Sequence, residues 1–393
     1  MKILHTSDWH IGRAFHGHST LDALTDVLGA LVAQVQEHDV DVVVVAGDVF
    51  DSATPAASAY TLLTDTLVAL HGTGAQVIVT SGNHDSAARL GFQARLLREG
   101  IHVVTDPRTV GEPITIDDAH GPVRFFGIPY LEPAIVRQHA VFQEAAEGEE
   151  ARPLRTQAQT LARAMRLVRA GLAEHPGRSV VIAHCFAAGV DATAGLEREI
   201  RQGGIDMVPV SVFDGVDYVA LGHIHGRQVL TERVRYAGAP LHYSFGEQYK
   251  PRGSWLIDLA ADGAVAAEWL PLPVPRPLVT LTGSFDEILS PDNVAAHADD
   301  WVCAVYTDDL PQTEPMRRLR EKYPFCALVQ HEPVLVAVDA ERSYAQRLRA
   351  AATDEERIDA FLGHVRNGVA ATADEQELIR SVLDDRVRAE ALV

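Results

Sequence analysis

Five short polar motifs each close an apolar run, and that recurrence constrains what this chain can fold into. They are Ser7-Asp8-Trp9-His10, Gly47-Asp48-Val49-Phe50, Gly82-Asn83-His84-Asp85, Ala183-His184-Cys185 and Gly222-His223-Ile224-His225. The runs before them, at residues 42–45 and 180–182 for example, have the length and β-branched character of buried strands. Helical patterns occupy residues 21–38 and 56–71. Strand and helix alternating in this way predict an α/β fold with a largely parallel central sheet. Open sheets of that kind place ligand sites at the C-terminal ends of their strands, where all five motifs fall.

The pattern changes after about Gly111. Residues 113–116 and 123–127 read as a hairpin belonging to a second sheet. A charged stretch at 144–155 precedes a long helix at 157–174, and strands return at 179–183, 218–221, 233–237 and 254–259. Residues 1–270 are therefore expected to form a two-sheet sandwich flanked by helices. Alternating prolines at 270–277 cannot sit in a central strand and mark a boundary. Residues 278–338 read as a small α+β domain. Residues 340–393 read as a charged helical tail, in which Thr372 to Glu375 has capping-box form and Leu378, Ile379, Val382, Leu383 and Val387 make one apolar stripe.

A chain of 393 residues exceeds what one core usually serves. No apolar run approaches the roughly 18 residues of a membrane helix, and the N-terminal residues run directly into a motif, so a soluble, cytoplasmic protein is expected. Cys185, Cys303 and Cys326 are too few for a disulfide framework and read as reduced core thiols. A net charge of −20 argues by itself against nucleic acid. Bound cations partly neutralise clustered carboxylates, however, and one basic strip can coexist with an acidic remainder.

The candidate metal ligands are Asp8, His10, Asp48, Asn83, His184, His223 and His225. They offer carboxylate, imidazole and amide oxygen without thiolate, which suits two divalent ions of the Mn²⁺, Fe²⁺ or Mg²⁺ kind. In an extended segment, residues two apart face the same way, so Asp8 pairs with His10 and His223 with His225. Asp48, with two oxygens, is the natural carboxylate to share between ions. His84 is placed to protonate a leaving alkoxide, with Asp85 fixing its tautomer and Arg89 bracing the loop. This chemistry predicts phosphodiester hydrolysis with no covalent intermediate, and no G-x-S-x-G motif is present. Arg13, Lys250 and Arg252 lie beside site segments and are candidates for DNA binding. Residues 236–247 are expected to line a substrate groove, with His242 the one most able to touch phosphate. His16-Gly17-His18 reads as a solvated loop.

In their order, these residues resemble the motif blocks of the calcineurin-like metallophosphoesterase superfamily. The second block lacks the arginine of the protein-phosphatase branch, which disfavours phosphoprotein substrates. His5-Thr6-Ser7-Asp8-Trp9-His10-Ile11-Gly12 and Ser81-Gly82-Asn83-His84-Asp85-Ser86 resemble the SbcD-type nucleases of that superfamily. The resemblance implies a Mn²⁺-dependent enzyme for DNA end processing, recombination and repair. It would be a 3′-to-5′ exonuclease on double strands and an endonuclease on single strands and hairpins. It also implies an SbcC-type coiled-coil ATPase partner and a homodimer within a heterotetramer. The small domain would cap DNA and the tail would dock the partner. Asp8, His10, Asp48 and His225 would hold one ion, and Asp48, Asn83, His184 and His223 the other, with His84 catalytic. Asp51 stands where archaeal and eukaryotic relatives tend to carry histidine. Two other readings remain open: a small-molecule phosphodiesterase on the same fold, and a non-catalytic tethering subunit.

Overall fold

The computed structural model describes residues 1–143, 154–188, 207–333, 344–366 and 370–390. The charged stretch at 144–155 falls almost wholly outside the described residues, as do parts of the tail. Contacts divide the chain into two compact units, Met1–Pro275 and Arg276–Val393.

Two six-stranded sheets build the first unit. One runs in the order Val265–Pro271, Gly253–Leu259, Lys2–Thr6, Val42–Ala46, Gln76–Thr80, Ile101–Val104. The other runs Gln228–Val229, Val234–Tyr236, Tyr218–Gly222, Arg178–His184, Gly121–Ile128, Ile114–Asp118. The strands that carry the motifs are parallel to their neighbours, Lys2–Thr6 beside Val42–Ala46 and Tyr218–Gly222 beside Arg178–His184. Their C-terminal ends, and the motifs, therefore share one end of each sheet.

Side-chain alternation along each strand explains why these runs are apolar throughout. Val42 and Val44 face the second sheet, in a core with Ile182, Tyr218 and Ala220. Val43 and Val45 face outward, beneath helices Leu21–Glu37 and Ala57–Gly72, among Leu24, Leu28, Leu31 and Leu63. Helix Gln157–Glu174 covers the outer face of the second sheet with Leu161, Met165 and Val168. Each fully buried aliphatic side chain in these layers stabilises by roughly 1.5–3 kcal/mol. Polar bridges also join the sheets, one of them through His5. His5 Nε2 donates to the Leu221 carbonyl at 3.1 Å, and its Nδ1 accepts from the Tyr218 hydroxyl at 2.8 Å.

In the second unit, three parallel strands (Leu278–Gly283, Trp301–Tyr306, Cys326–His331) are joined by short helices around Phe285, Ile288, Val302, Leu319 and Tyr323. Helices Tyr344–Ala350, Asp354–Val365 and Ala373–Glu390 follow. Thr372 and Glu375 exchange backbone and side-chain hydrogen bonds at the start of the last one. Among the described residues, no helix is long and apolar enough to cross a membrane.

Candidate metal centre

The loop after each motif-bearing strand is bent sharply so that its polar residues turn back over the sheet ends. Asp8, His10, Asp48 and His223 all have positive φ, at 54°, 46°, 48° and 102°. Left-handed backbone is uncommon for residues with a side chain and is held here by the surroundings. Asp8 N–H and His10 N–H donate to the carbonyls of Gly47 and Asp48 at 3.1 and 3.0 Å, zipping the first two loops together. Asp8 and His10 thus reach the same place by two left-handed turns, not by the extended backbone that their spacing suggests.

Three glycines make room for the cluster. A Cβ at Gly82 would overlap Asp48 Oδ1, one at Gly222 would overlap the Ala46 carbonyl, and one at Gly47 would overlap the His184 ring.

The distances sort the side chains into two groups around Asp48. In one, His184 Nε2 lies 3.3 Å from Asp48 Oδ2 and 3.0 Å from Asn83 Oδ1, which is 3.1 Å from His223 Nδ1. In the other, His10 Nε2 lies 3.1 Å from His225 Nε2 and 3.7 Å from Asp48 Oδ2. Asp8 joins His10 and His225, and also Asp48 and His184, within 4.8 Å. His10, Asp48 and His84 form a third such group.

Tautomers show what these groups lack. His184 Nδ1 faces the Ala46 carbonyl at 3.0 Å and must donate to it. In the neutral ring its Nε2 is then a lone pair aimed at two oxygens. His10 Nδ1 lies 3.4 Å from Asp51 Oδ1 and His225 Nδ1 3.5 Å from Glu247 Oε1; with the proton on Nδ1 in both rings, two Nε2 lone pairs face one another at 3.1 Å. Buried acceptors that point at one another require positive charge between them. In His184 the protein's own electrostatics make the same demand. Burial alone would lower its pKa, but the Asp48 carboxylate more than reverses this and lifts it to about 9. Asp48 is held well below the usual carboxylate range, because His184 and His10 outweigh its burial. His223 is pushed down to about 4, by burial first and then by His184. The residues are positioned to hold divalent metal ions.

Behind these groups lies a supporting network that the sequence conceals. Glu247 is buried, accepts from Ser244 Oγ at 3.0 Å and pairs with Arg252 at 3.1 Å. Against the cost of burial, the hydrogen bond to His225 and the Arg252 charge bring Glu247 down to about 2. The only advance sign is the Ser-Phe-Gly-Glu spacing at 244–247. The placement of Arg252 corrects the expectation that it grips DNA. It is 2 % exposed, and its Nη1 donates to the carbonyls of His225 at 2.5 Å and Ala239 at 3.2 Å. Asp85 also departs from expectation. Its carboxylate accepts from the backbone N–H groups of Gly82, Val49 and Phe50 at 2.8, 3.0 and 2.8 Å, so it ties two loops together. The group that orients His84 is the Asp51 backbone carbonyl, 2.9 Å from Nδ1. Arg89 does brace the loop, donating to the Ala53 carbonyl at 2.7 Å.

Of the other candidates, Arg13 is part-buried, pairs with Asp51 at 3.1 Å and lies 4.8 Å over the Tyr243 ring. Lys250 is exposed. His242 Nε2 faces the Lys250 carbonyl at 2.9 Å. His16-Gly17-His18 forms the tip of a short hairpin, with His16 against Phe245.

Comparison with known proteins agrees with this geometry. The family model for calcineurin-like phosphoesterases matches residues 1–227. That for the SbcD C-terminal domain, described as a type 5 capsule protein repressor C-terminal domain, matches residues 274–362. Similar solved structures include TT1561 of Thermus thermophilus, at 14 % identity and a TM-score of 0.37, covering 68 % of this chain and 98 % of that one. An archaeal phosphodiesterase is 16 % identical with a TM-score of 0.31, covering 69 % of this chain and all (100 %) of that one. A dimetal phosphatase from Danio rerio is 16 % identical with a TM-score of 0.34, covering 60 % and 86 %. With a matched family model over more than half its length and facing acceptors at the strand ends, the chain belongs to the calcineurin-like phosphoesterase family and carries an SbcD-type C-terminal domain.

Proposed function

We propose that this protein is a two-metal DNA nuclease subunit. The observation that carries the reading is the convergence of His10, His225, Asp48, His184, Asn83 and His223 as mutually facing acceptors in two groups. Asp8, His10, Asp48 and His225 would hold one ion, and Asp48, Asn83, His184 and His223 the other. The hard and borderline donor set favours Mn²⁺. Bound ions supply Lewis-acid polarisation of a phosphodiester and neutralise its charge. The chain's own residues do the rest. His84 donates its Nδ1 proton to the Asp51 carbonyl, so Nε2 is the atom that exchanges a proton with the substrate. Glu247 and Asp51 fix the rings of His225 and His10 from behind.

The second unit favours DNA over a small phosphodiester. Its match to an SbcD-type C-terminal domain spans residues 274–362, and a nucleotide-sized substrate needs no such addition. On this reading the enzyme is an exonuclease on double strands and an endonuclease on single strands and hairpins. Leu378 and Val382 stay exposed on helix Ala373–Glu390, which supports docking of a coiled-coil ATPase by the tail. Val68, Phe92 and Leu96, exposed in the first unit, support self-association. The test is purified protein with Mn²⁺ on single-stranded and hairpin DNA. Cleavage is expected; intact DNA alongside hydrolysis of small diesters would make it a small-molecule phosphodiesterase.

A further inference from the structure

Beside His225, the surface carries a cation set on aromatic rings, and the metal groups do not use it. Arg227 lies two residues after His225, exposed, with its guanidinium 4.8 Å over the Trp269 ring and 5.6 Å over the Trp255 ring. Stacking on two indoles fixes the orientation of the guanidinium and leaves its N–H groups available. Lys250 lies alongside. A Cβ at Gly226 would crowd its Cδ at 3.3 Å, with Nζ 3.6 Å away, so the lysine lies across the segment between His225 and Arg227. Among the described residues, neither cation has an acidic partner, although the chain carries a net charge of −20. Tyr249, next to Lys250, is 90 % exposed, and no ring contact involves it among the described residues.

The loop that presents Tyr249 and Lys250 is fastened to the metal groups. Phe245 packs against Phe15 with ring centroids 5.4 Å apart. Glu247 reaches His225 and Arg252, and Arg252 holds the His225 carbonyl. A group bound at Tyr249 or Lys250 is therefore registered to His225 through short buried links.

We infer that Arg227, Tyr249 and Lys250 hold the single nucleic-acid strand that flanks the scissile phosphate, an assignment that rests on the nuclease reading above. An exposed aromatic ring beside a pair of cations matches an unpaired strand. The ring takes a base face, and the cations take neighbouring phosphates. A paired duplex offers no free base face to Tyr249, so the strip selects strands that are single or frayed near the reacting bond.

The test uses the full chain with Mn²⁺ and two substrates, a single-stranded oligonucleotide and bis(p-nitrophenyl) phosphate, which has no flanking nucleotide. In Tyr249→Ala the ratio of kcat/KM for the oligonucleotide to that for the small diester falls about tenfold, and Tyr249→Trp restores it. Arg227→Ala and Lys250→Ala each flatten the salt dependence of oligonucleotide binding by about 0.7 in log–log slope. If wild type cuts the oligonucleotide and the variants keep both the ratio and the slope, this inference is overturned and the nuclease reading stands. If wild type cuts only the small diester, both fall.

Discussion

His84 Nδ1 lies 2.9 Å from the backbone carbonyl oxygen of Asp51, and the His84 N–H donates to Asp48 Oδ1 at 2.9 Å. The ring is thus oriented through Nδ1 by the Asp51 main chain, and the His84 backbone is anchored by the Asp48 carboxylate, with Nε2 left to face substrate. His84 also stands close enough to His10 and Asp48 to be a ligand, so the two roles need separating. His84→Gln is expected to lower kcat by about 10²–10⁴ while leaving Mn²⁺ affinity by calorimetry unchanged. A matching loss of Mn²⁺ affinity would make His84 a ligand instead.

Asp85 serves the fold. Its two oxygens satisfy three backbone N–H groups in the loops that carry Asp48 and Asn83. Burial raises its pKa, aided by the Asp48 charge and opposed by those N–H groups. Asp85→Ala orphans three donors and is expected to cost roughly 3 kcal/mol in urea unfolding. Asp85→Asn retains one acceptor and loses less. If Asp85→Asn kept full stability but lost kcat, the tautomer-fixing role would return.

Much of this architecture was legible because its signals are local. The strand at Gln76–Thr80 and the helix at Gln157–Glu174 follow directly from apolar spacing. The convergence of His184 with Asn83 follows from parallel strands that end together. What escaped is set by side-chain direction across loops. Asp85 adjoins His84 in sequence yet turns back to Gly82, three residues earlier. Arg252 immediately precedes strand Gly253–Leu259, and its burial depends on Glu247, which reads as a surface residue until the loop closes on His225. A basic residue near a site reads as a grip on substrate unless its buried partner is known.

That pair makes a prediction of its own. Removing one partner of a buried ion pair leaves an uncompensated charge, at about 3–5 kcal/mol. Glu247→Gln is expected to lower stability in that range and to weaken Mn²⁺ binding about 10–100-fold, because His225 loses the carboxylate behind its ring. Arg252→Met destabilises similarly but leaves the salt slope of DNA binding as in wild type, since the guanidinium never reaches solvent. A flattened slope in Arg252→Met would restore the DNA contact.

His5 sets the acid limit of the sandwich. Its ring is fully buried between the sheets, and burial, opposed by the Leu221 hydrogen bond and aided by the Arg235 charge, lowers its pKa to about 3. The unfolded chain takes up this proton near pH 6.5. Between those values the unfolded state binds more protons than the folded state, so stability rises with pH across the window. The contribution is present in full above about 6.5 and drains away as pH falls towards about 3. At about 1.4 kcal/mol per pH unit, the window amounts to at most roughly 5 kcal/mol. Urea unfolding of wild type and His5→Gln at pH 7, 6, 5 and 4 isolates it, because every other group titrates in both proteins. The wild-type curve is expected to fall more steeply by about 1 kcal/mol per unit below pH 6. Parallel curves would mean that the buried imidazole already carries its proton in the fold, and that the bridge to Tyr218 and Leu221 is not held by a neutral ring.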